Sequence, residues 1–529
     1  MRQPQREACD LMMRKCTVLV WLVGAVASVA FAADCSGLKN FKFENTEITV
    51  AESVTSGTLA IPGGSPVGGL PAMCRVAGVL RPTSDSEIRF EVWMPEQGWN
   101  GRFLGVGNGG FAGSIGYGQF VAYIKRGFAV AGSDAGHQGE AEDASWAFGH
   151  PERIKDFGWR AVHLTAEHGK QIVAAYYGKA QDHAYFDSCS DGGREALMEA
   201  QRFPADYDGI LAGAPANAWS TMVASGVSGI QALAGDPRAF ISDLKLPAIQ
   251  KAALDACDLQ DGVKDGVISD PAKCHFDPNV LLCKAGDNLD CLTSPQLGTL
   301  KTLYGGSKDS HGKLIFPGFT MGDETSWREW VIGQAPGASS STQYVQNYFR
   351  YMVTGDPTWN ALTANVDEVL KLSREKSAAD LDSTNPDLSR FAGRGGKLIL
   401  YHGWNDQAIS PWNTVAYYKQ VRQTMGAQKA ESFTRLYMIP GMEHCFGGPG
   451  ATAFGQFGIG TAKGPANGLF DSLQDWVEKG APDEGVFATK FDGAMKPVMT
   501  RPLCAYPAVA TYSGTGDSMD ATNFACAKP

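Results

Sequence analysis

The sequence predicts an α/β fold, in which a mainly parallel sheet is covered by helices and interrupted by one large insertion. Short runs rich in β-branched and aromatic residues are bounded by glycine, and amphipathic helical stretches lie between some of them. Strands that alternate with helices form parallel sheets. Between about residues 217 and 395 this alternation fails, and that failure predicts the insertion.

The predicted elements follow the chain in order. The strands are residues 87–95, 102–107, 127–134, 183–188, 207–215, 397–403 and 434–441, and the helices are residues 156–178, 191–204 and 468–480. The region 217–395, rich in Gly, Asp, Ser, Trp and Tyr, comes after the strand at 207–215. Ligands bind at the carboxyl edge of the strands in such sheets. An insertion at this point is therefore predicted to form a lid over that edge.

The N-terminus has the pattern of an export signal. Arg14 and Lys15 precede an apolar run at 16–32 that ends in Ala30-Phe31-Ala32, which has the A-x-A form of a cleavage site. The run is short for a membrane anchor, which is the alternative reading, and no other segment is long and apolar enough to cross a bilayer. Residues 1–32 are therefore predicted to be a signal peptide. We expect the mature protein to be secreted or periplasmic, without a membrane attachment.

The charge pattern argues against a nucleic acid as partner. The formal net charge is −10, and the acidic residues are spread along the chain instead of being clustered. The 529-residue sequence shows no basic stripe and no zinc-finger spacing. Binding to a polyanion requires such a basic surface. No nucleic-acid partner is expected.

The cysteines are predicted to form disulfides. Two of the twelve lie within residues 1–32, so ten remain in the mature chain, and an even number in an exported protein favours disulfides. Zinc is disfavoured because no C-x-x-C pair occurs. The connectivity does not follow from sequence alone. Local spacing favours Cys257–Cys274, Cys283–Cys291 and Cys504–Cys526; Cys35 and Cys74 then pair near the N-terminus, which leaves Cys189 with Cys445.

The segment YFDSCSDGGREAL, residues 185–197, is similar to a nucleophile elbow, the G-x-S-x-G turn between a strand and a helix. Ser190 stands at the position of the nucleophile, with a predicted strand before it and a predicted helix after it. Ser188 replaces the first glycine of the motif. Because serine is small, the tight turn is expected to survive this replacement.

A serine nucleophile needs an imidazole to take its proton and a carboxylate to orient that imidazole. In α/β-hydrolases the acid and then the histidine follow the serine, each beyond a strand. Asp406 follows the predicted strand at 397–403, and His444 follows the strand at 434–441. Taken alone, each residue has a non-catalytic alternative. Asp406 could form an Asx turn, and His444 could be an ordinary loop histidine at a glycine-rich turn. In this order they predict a catalytic triad with Ser190 and an α/β-hydrolase fold with a large inserted lid.

The pair left over among the cysteines has a potential role in this site. Cys189 directly precedes Ser190, and Cys445 directly follows His444. A bond between them would tie the nucleophile turn to the histidine loop, where an error of about 1 Å can cost about a hundredfold in rate. The alternative is that both cysteines are buried free thiols. This is less expected in an exported protein, because disulfides form in an oxidising compartment.

Acyl transfer also needs N–H donors for the oxyanion. One is predicted to be the backbone N–H of Asp191, the residue after the nucleophile, and the second is predicted in the turn GVGNGGFAG at 105–113. Gly109 and Gly110 are the candidates there, and the sequence does not decide between them. The alternatives for this turn are a flexible loop or a phosphate loop, but no Gly-Lys-Ser follows it.

An acidic loop lies inside the insertion, in the segment CDLQDGVKDGVISDPAKC at 257–274. Asp258, Asp261 and Asp265 alternate with glycines that permit tight turns. Backbone carbonyls can complete the all-oxygen ligand set that Ca²⁺ prefers. The spacing is not that of an EF-hand, and a solvated acidic turn is the alternative. A metal ion at this position is expected to be structural.

Three motifs together, SCSDGG, HGWNDQAIS and GMEHCFGG, resemble the tannase and feruloyl esterase family, which also includes the hydrolase of mono(2-hydroxyethyl) terephthalate. The resemblance extends over essentially the whole mature chain, although the family usually has glycine where this chain has Ser188. It implies the triad Ser190, Asp406 and His444 with linked neighbouring cysteines, and an oxyanion hole of Asp191 and a glycine of 107–110. It also implies a Ca²⁺ site formed by Asp258, Asp261 and Asp265 with the carbonyls of Val263 and Val267.

Other implications concern the pocket and the domains. By the resemblance, His402 lines the substrate pocket; by physics alone it could equally be a packed core histidine. The aromatic segment 344–359 of the lid could stack on a planar acyl group or pack in the ordinary way. Residues 33–216 and 396–529 are expected to form the catalytic domain. Residues 217–395 are expected to form the lid domain with the calcium loop.

The predicted function is therefore that of an exported serine esterase acting on small esters of aromatic acids, feruloyl (hydroxycinnamoyl) esters above all. Gallate esters and mono(2-hydroxyethyl) terephthalate are the alternative substrates. A non-catalytic, calcium-stabilised binding protein on the same scaffold is an alternative of a different class, and the presence of all three triad residues argues against it. A serine peptidase is disfavoured by the paired cysteines. The sequence does not indicate the oligomeric state.

Overall fold

The structure is a computed structural model that describes residues 34–55, 57–61, 65–462, 468–482 and 485–528, so the predicted signal peptide lies outside it. The strands in the described part are β1 Thr46–Val54, β2 Gly57–Leu59, β3 Val67–Leu70, β4 Met73–Leu80, β5 Ile88–Pro95, β6 Arg102–Val106, β7 Ala129–Ser133, β8 His183–Cys189, β9 Gly209–Gly213, β10 Ser307–Lys308, β11 Leu314–Phe316, β12 Lys397–Gly403, β13 Thr434–Ile439, β14 Phe487–Phe491, β15 Pro497–Pro502, β16 Val509–Tyr512 and β17 Phe524–Ala527.

The α-helices in the same described part lie mainly between the strands of the sheet and in the insertion. They are α1 Tyr117–Ile124, α2 Pro151–Lys155, α3 Ala161–Tyr177, α4 Asp191–Arg202, α5 Trp219–Ala234, α6 Leu246–Cys257, α7 Ser294–Gly305, α8 Ser340–Asn347, α9 Val366–Leu381, α10 Ser389–Gly393, α11 Pro411–Met425, α12 Ala427–Phe433 and α13 Leu469–Lys479. The predicted helix at 156–178 is a short π-helical turn, Asp156–Arg160, continued by α3. No helix among these residues combines the length and apolarity that a membrane crossing requires.

Nine strands form one sheet in the order β1-β4-β5-β7-β6-β8-β9-β12-β13. From β7 to β13 every neighbouring pair is parallel, whereas β1, β4 and β5 form an antiparallel edge. All seven predicted strands belong to this sheet. The α/β-hydrolase fold predicted from the sequence is confirmed.

Alternating side chains of the sheet pack in two apolar layers, one on each face, because successive residues of a strand point to opposite faces. On one face Phe186 and Leu400 pack in the cluster that contains the buried residues of α3 and α4. On the other face Tyr185 and Ile399 pack in the cluster that contains those of α1 and α13. Helices thus cover both faces, and the loops at the strand ends are left to form the site.

Strand β4, which lies between β1 and β5 in the antiparallel part of the sheet, is not among the predicted strands. It carries Arg75, a charged residue that is buried in the structure. The Arg75 guanidinium donates to Glu91 at 2.5 and 2.9 Å and to Glu52 at 2.9 Å. A buried ion pair breaks the apolar pattern by which strands are predicted, and its partners come from neighbouring strands that only the fold brings together.

The segment 214–396, which the structure describes without a gap, contributes no strand to the nine-stranded sheet. It contains α5 to α10 and the hairpin β10–β11. Part of it has an apolar cluster of its own, with Leu246, Ile249, Leu300 and Trp327. The division into a catalytic domain and a lid domain stays a prediction.

The disulfides are those that the cysteine spacing favours. The bonded pairs are Cys35–Cys74, Cys189–Cys445, Cys257–Cys274, Cys283–Cys291 and Cys504–Cys526. Two of them close short loops inside the insertion. One of them, Cys189–Cys445, joins residues 256 positions apart and lies at the candidate site.

Candidate active site

The carboxyl ends of three parallel strands bring Ser190, Asp406 and His444 together. Ser190 directly follows β8, Asp406 follows β12 and His444 follows β13. His444 Nε2 lies 2.8 Å from Ser190 Oγ, and His444 Nδ1 lies 2.8 Å from Asp406 Oδ2. This geometry allows the imidazole to accept the serine proton while the carboxylate holds the second ring nitrogen.

The turn at Ser190 is strained. Its φ is 68° and its ψ is −123°, a conformation that costs a non-glycine residue about 1–3 kcal/mol. Backbone hydrogen bonds hold it: Ser190 N donates to Gly213 O at 3.0 Å, and Ala216 N donates to Ser190 O at 3.1 Å. The strain points the hydroxyl out of the strand end towards His444.

Ser188 is accommodated by the glycine on the other side of the turn. A Cβ at Gly192 would lie 1.9 Å from Ser188 Oγ, and a Cβ at Gly193 would lie 2.2 Å from Gly213 O. Glycine is therefore required at both positions of α4. The prediction that the turn survives a serine at 188 agrees with this packing, since the missing side chain at 192 provides the space.

Asp406 is completely buried and has four polar contacts. Its Oδ1 accepts from Ala408 N and Ile409 N, both at 2.8 Å, and its Oδ2 faces His444 and His402. Burial alone would raise the pKa of Asp406, but the charge interaction with His444 and the hydrogen bonds of both imidazoles hold it well below its usual range. The carboxylate is therefore ionised beside His444 at neutral pH.

His402 is not in the pocket, in contrast to the expectation that it contacts substrate. It is completely buried and is absent from the cavity wall. Its Nε2 lies 3.0 Å from Asp406 Oδ2, and its Nδ1 lies 2.7 Å from Thr414 Oγ1. Its place at the penultimate position of β12 turns the ring into the protein core, where it supports the carboxylate.

The Cys189–Cys445 disulfide lies beside the serine and the histidine. Its Cα atoms are 6.0 Å apart, and Cys445 has a φ of 67°. Strained backbone therefore occurs at both ends of the covalent link, at Ser190 next to Cys189 and at Cys445 itself. Further contacts fix the same loops, because Asn405 N donates to Met442 O at 2.9 Å and His444 N donates to Gln407 Oε1 at 3.1 Å.

The glycine-rich turn is clamped against the start of α4. Asn108 N donates to Glu195 Oε2 at 2.9 Å, and Gly192 N donates to Asn108 O at 2.8 Å. These N–H groups are thus occupied. Asp191, Gly109 and Gly110 all line the cavity over Ser190, which leaves their N–H groups as the candidate oxyanion donors.

A cavity of about 810 Å³ opens over these residues. Its wall includes Trp330 and Tyr344 from the insertion. The Trp330 ring lies 6.1 Å from the His444 ring and 5.2 Å from the Tyr344 ring. Trp330 is not among the sequence-predicted site residues, because its position depends on how the insertion folds back over the sheet.

Most of the aromatic segment 344–359 has a packing role. Tyr344 lines the cavity, but Tyr348 and Phe349 are buried in the core. Trp359 stacks on Phe349 with ring centroids 4.4 Å apart. Of the two alternatives for this segment, stacking on a substrate is open to Tyr344, whereas these other rings pack in the ordinary way.

The acidic loop of the insertion has the oxygen-rich chemistry of a Ca²⁺ site. Asp258 accepts from the N–H groups of Asp265, Gly266 and Val267. Asp265 pairs with Arg501 at 2.6 Å; burial raises its pKa, and the Asp261 charge raises it further. Adjacent carboxylates that repel each other fit a cation. Asp258, Asp261 and Asp265, with the carbonyls of Val263 and Val267, are the residues that would hold it.

Among the described residues, a second group with acidic side chains is formed by α3, α4 and the loop after α4. His163, Glu199 and Asp206 have potential ligand atoms within 4.8 Å of one another. His163 Nδ1 lies 2.6 Å from Asp206 Oδ2, which is the length of a direct hydrogen bond. Lys170 Nζ also contacts Asp206, at 3.2 Å. These contacts describe a hydrogen-bonded ionic cluster that links α3 to the loop after α4.

Comparisons with known proteins agree with the geometry. The sequence profile described as "Tannase and feruloyl esterase" matches residues 74–527. An uncharacterised esterase of Xanthomonas campestris pv. campestris is 40% identical over 95% of this chain and 93% of its own length. A probable feruloyl esterase B of Aspergillus clavatus is 33% identical over 97% of this chain and 100% of its own length.

A solved structure supports the same conclusion. Feruloyl esterase B from Aspergillus oryzae superposes with a TM-score of 0.88 at 29% identity, over 94% of this chain and 100% of that one. The profile match and the relatives span nearly the whole described chain, including all the strands that carry the site. The protein is a carboxylic ester hydrolase that belongs to the tannase and feruloyl esterase family.

Proposed function

We propose that the enzyme hydrolyses esters of aromatic carboxylic acids, with feruloyl (hydroxycinnamoyl) esters as its preferred substrates, through an acyl-enzyme on Ser190. The observation that carries this proposal is the hydrogen-bonded series Ser190–His444–Asp406 at the floor of a cavity with aromatic walls. The relatives named feruloyl esterase B support the choice of acyl group.

In the proposed reaction Ser190 Oγ attacks the ester carbonyl carbon while its proton moves to His444 Nε2. The carbonyl oxygen becomes an oxyanion that accepts from the N–H of Asp191 and of Gly109 or Gly110. His444 then gives the proton to the leaving alcohol, and the acyl group stays on Ser190. Water attacks the acyl-enzyme, His444 takes and returns a proton, and the aromatic acid leaves. Asp406 stays ionised and stabilises the imidazolium throughout.

Initial rates on methyl ferulate, methyl gallate and mono(2-hydroxyethyl) terephthalate at equal concentrations test the substrate. We expect the highest kcat/KM on methyl ferulate. A higher value on either of the other esters would reassign the substrate to the gallate or the terephthalate class. The Ser190→Ala variant should lose at least about 10³-fold in kcat on all three, with the exposed Ser432→Ala as a matched control. Full activity of Ser190→Ala would overturn the mechanism.

We also propose that the acidic loop binds a structural Ca²⁺. The ion would offset the repulsion between Asp261 and Asp265 and would rigidify a loop already closed by Cys257–Cys274. Addition of chelator should lower the Tm of the wild type, and Asp258→Asn should lower the Tm and remove the chelator effect. The exposed Asp290→Asn serves as the control. A Tm that does not respond to chelator would contradict the proposal.

We also propose that the mature chain is exported, because residues 14–32 have the pattern of a signal peptide. The five disulfides support this proposal. Cleavage after Ala32 would give a mature N-terminus at Ala33. Mass spectrometry of the protein recovered from culture medium or periplasm measures that terminus. An N-terminus at Met1 in the recovered protein would contradict cleavage.

A further inference from the structure

The cavity over Ser190 continues along one face of α5, which sequence reasoning did not single out. Ser225 and Ser228 of α5 line it, together with residues that recur every three or four positions: Trp219, Met222, Val223, Gly226, Gly229, Ile230 and Leu233. This spacing of three and four residues describes a single helix face. The cavity therefore has an arm, the α5 channel, bounded by this face.

The α5 channel begins at the nucleophile. Ala216, just before α5, donates its N–H to Ser190 O at 3.1 Å. Since a helix rises 1.5 Å per residue, Gly229 lies about 15 Å along the helix from Trp219, and Leu233 about 21 Å. A feruloyl group, with one ring and a three-carbon chain, is much shorter. The channel has length that the proposed substrate does not fill.

The walls of the far part are mainly apolar, and Gly229 adds no side chain to them. Leu303, Phe316 and Phe319 line it opposite α5. A Cβ at Gly229 would meet only Leu303 Cδ2, at 3.7 Å, so this side of the helix leaves space. The hydroxyls of Ser228 and Ser307 also line the cavity, and they face each other at 2.8 Å. The two hydroxyls hydrogen-bond to each other, so the apolar walls determine which ligands the channel binds.

The acyl side of the ester is the side that points into this channel. His444 must lie beside the leaving alcohol in order to protonate it. On the His444 side, Phe446 lines the cavity and is 62% exposed, so that side meets solvent. The alcohol thus has an exit past Phe446, and the α5 side, where Val223, Ile230 and Leu233 are buried, is left for the acyl group.

We propose that the α5 channel binds extended, unbranched acyl chains, so that the enzyme hydrolyses esters of long aliphatic acids in addition to aromatic esters. This inference rests on the proposed role of Ser190 but not on the preference for feruloyl groups. Each methylene placed beside Ile230, Leu233 or Leu303 leaves water for an apolar wall, which favours longer chains. The length of the channel sets the limit.

A series of p-nitrophenyl esters from acetate to decanoate tests the proposal in the full-length mature enzyme. We expect kcat/KM to rise with acyl length up to decanoate. Gly229→Leu fills the channel and should lower the decanoate-to-acetate ratio of kcat/KM about tenfold or more, and Gly229→Ala should lower it less. Gly298→Leu, an exposed glycine of α7 with open space at its Cβ, should keep the wild-type ratio.

The outcomes separate this inference from the proposed function. An unchanged ratio in Gly229→Leu, with its Tm near that of the wild type, would overturn the channel. A length preference in alkyl ferulates that Gly229→Leu abolishes would also overturn it, because the channel would then take the alcohol. Loss of p-nitrophenyl acetate hydrolysis in Ser190→Ala tests the nucleophile. The rate on methyl ferulate tests the aromatic preference independently.

Discussion

The two sides of the cavity are built in different ways. On the side of Ser190 and His444, loops at the ends of parallel strands are fixed by short hydrogen bonds and a disulfide. On the α5 side, a helix face presents apolar side chains or none. Hydrogen bonds and covalent links fix atomic positions, whereas an apolar wall fixes only a volume. The comparison teaches that reaction chemistry and substrate size are determined by separate parts of the chain.

The largest effect is expected on the side of Ser190 and His444, where hydrogen bonds and a disulfide fix the atomic positions. Asp406→Asn removes the charge that orients and stabilises the imidazole, and kcat should fall about 10⁴-fold with little change in KM. Steady-state kinetics on methyl ferulate measure both. Asp382→Asn, at a carboxylate that receives hydrogen bonds from Ser220, is the control for loss of a buried charge. A decrease of less than about tenfold in Asp406→Asn would refute this role.

A smaller effect is expected when the covalent link is removed. In the Cys189→Ala/Cys445→Ala variant the serine and histidine loops can separate, and kcat should fall about 10- to 100-fold well below the Tm. Cys283→Ala/Cys291→Ala removes a disulfide inside the insertion and should lower Tm without this loss of kcat. Equal turnover in the two double variants would show that the link at the site is structural only.

At Trp330, an aromatic residue of the insertion that lines the cavity, substitution should change binding more than chemistry. Trp330→Leu removes the ring that faces His444, and KM for methyl ferulate should rise about 3- to 10-fold because aromatic stacking contributes about 0.5–1.5 kcal/mol. Trp359→Leu, which loses a stack on Phe349 outside the cavity, is the matched control. If kcat instead falls with KM constant, the two sides of the cavity are not separable.

The smallest expected effect concerns Asp187, which lies below the nucleophile turn. Burial raises its pKa to about 7, although the hydrogen bonds that it accepts from the Tyr123 hydroxyl and from Phe457 N lower the pKa. A raised pKa means that its contribution to stability is complete below about pH 4 and is lost as pH rises through 7. Asn does not ionise. Between about pH 4 and pH 7 the stability of Asp187→Asn relative to wild type should therefore increase by about 1.4 kcal/mol per pH unit, and above pH 7 it should level off.

Urea denaturation of both proteins at pH 5 and pH 8 measures this difference. Groups other than Asp187 titrate alike in the two proteins and cancel. A difference in the free energy of unfolding that is the same at both pH values would show that the pKa of Asp187 is not raised in the folded protein.

The parallel sheet and the residues at its strand ends could be predicted from sequence because both signals are local. A run such as KLILYHG with Asp406 beyond it indicates a buried strand and a polar turn without any knowledge of the fold. His402, in the same run, shows the limit. Whether it faces the cavity or the core depends on Thr414 and Asp406, which the fold alone places around it.

The insertion was predicted least well, for a physical reason. The contributions of Trp330 and of the α5 face depend on contacts between distant segments. Gly229, for example, is an unremarkable helix residue until Leu303 and Phe316 are placed opposite it. Position in the sequence therefore located the insertion but not the part of it that surrounds the substrate.

The Cys189–Cys445 bond also gives the chain a ring topology. It closes a loop that contains the whole insertion as well as Asp406. A protease cut between residues 217 and 395 would leave both fragments in one covalent molecule, with Ser190 and His444 still joined. Such a nicked enzyme would run as an intact chain on a gel until it is reduced. The insertion can thus be cut without releasing either Ser190 or His444.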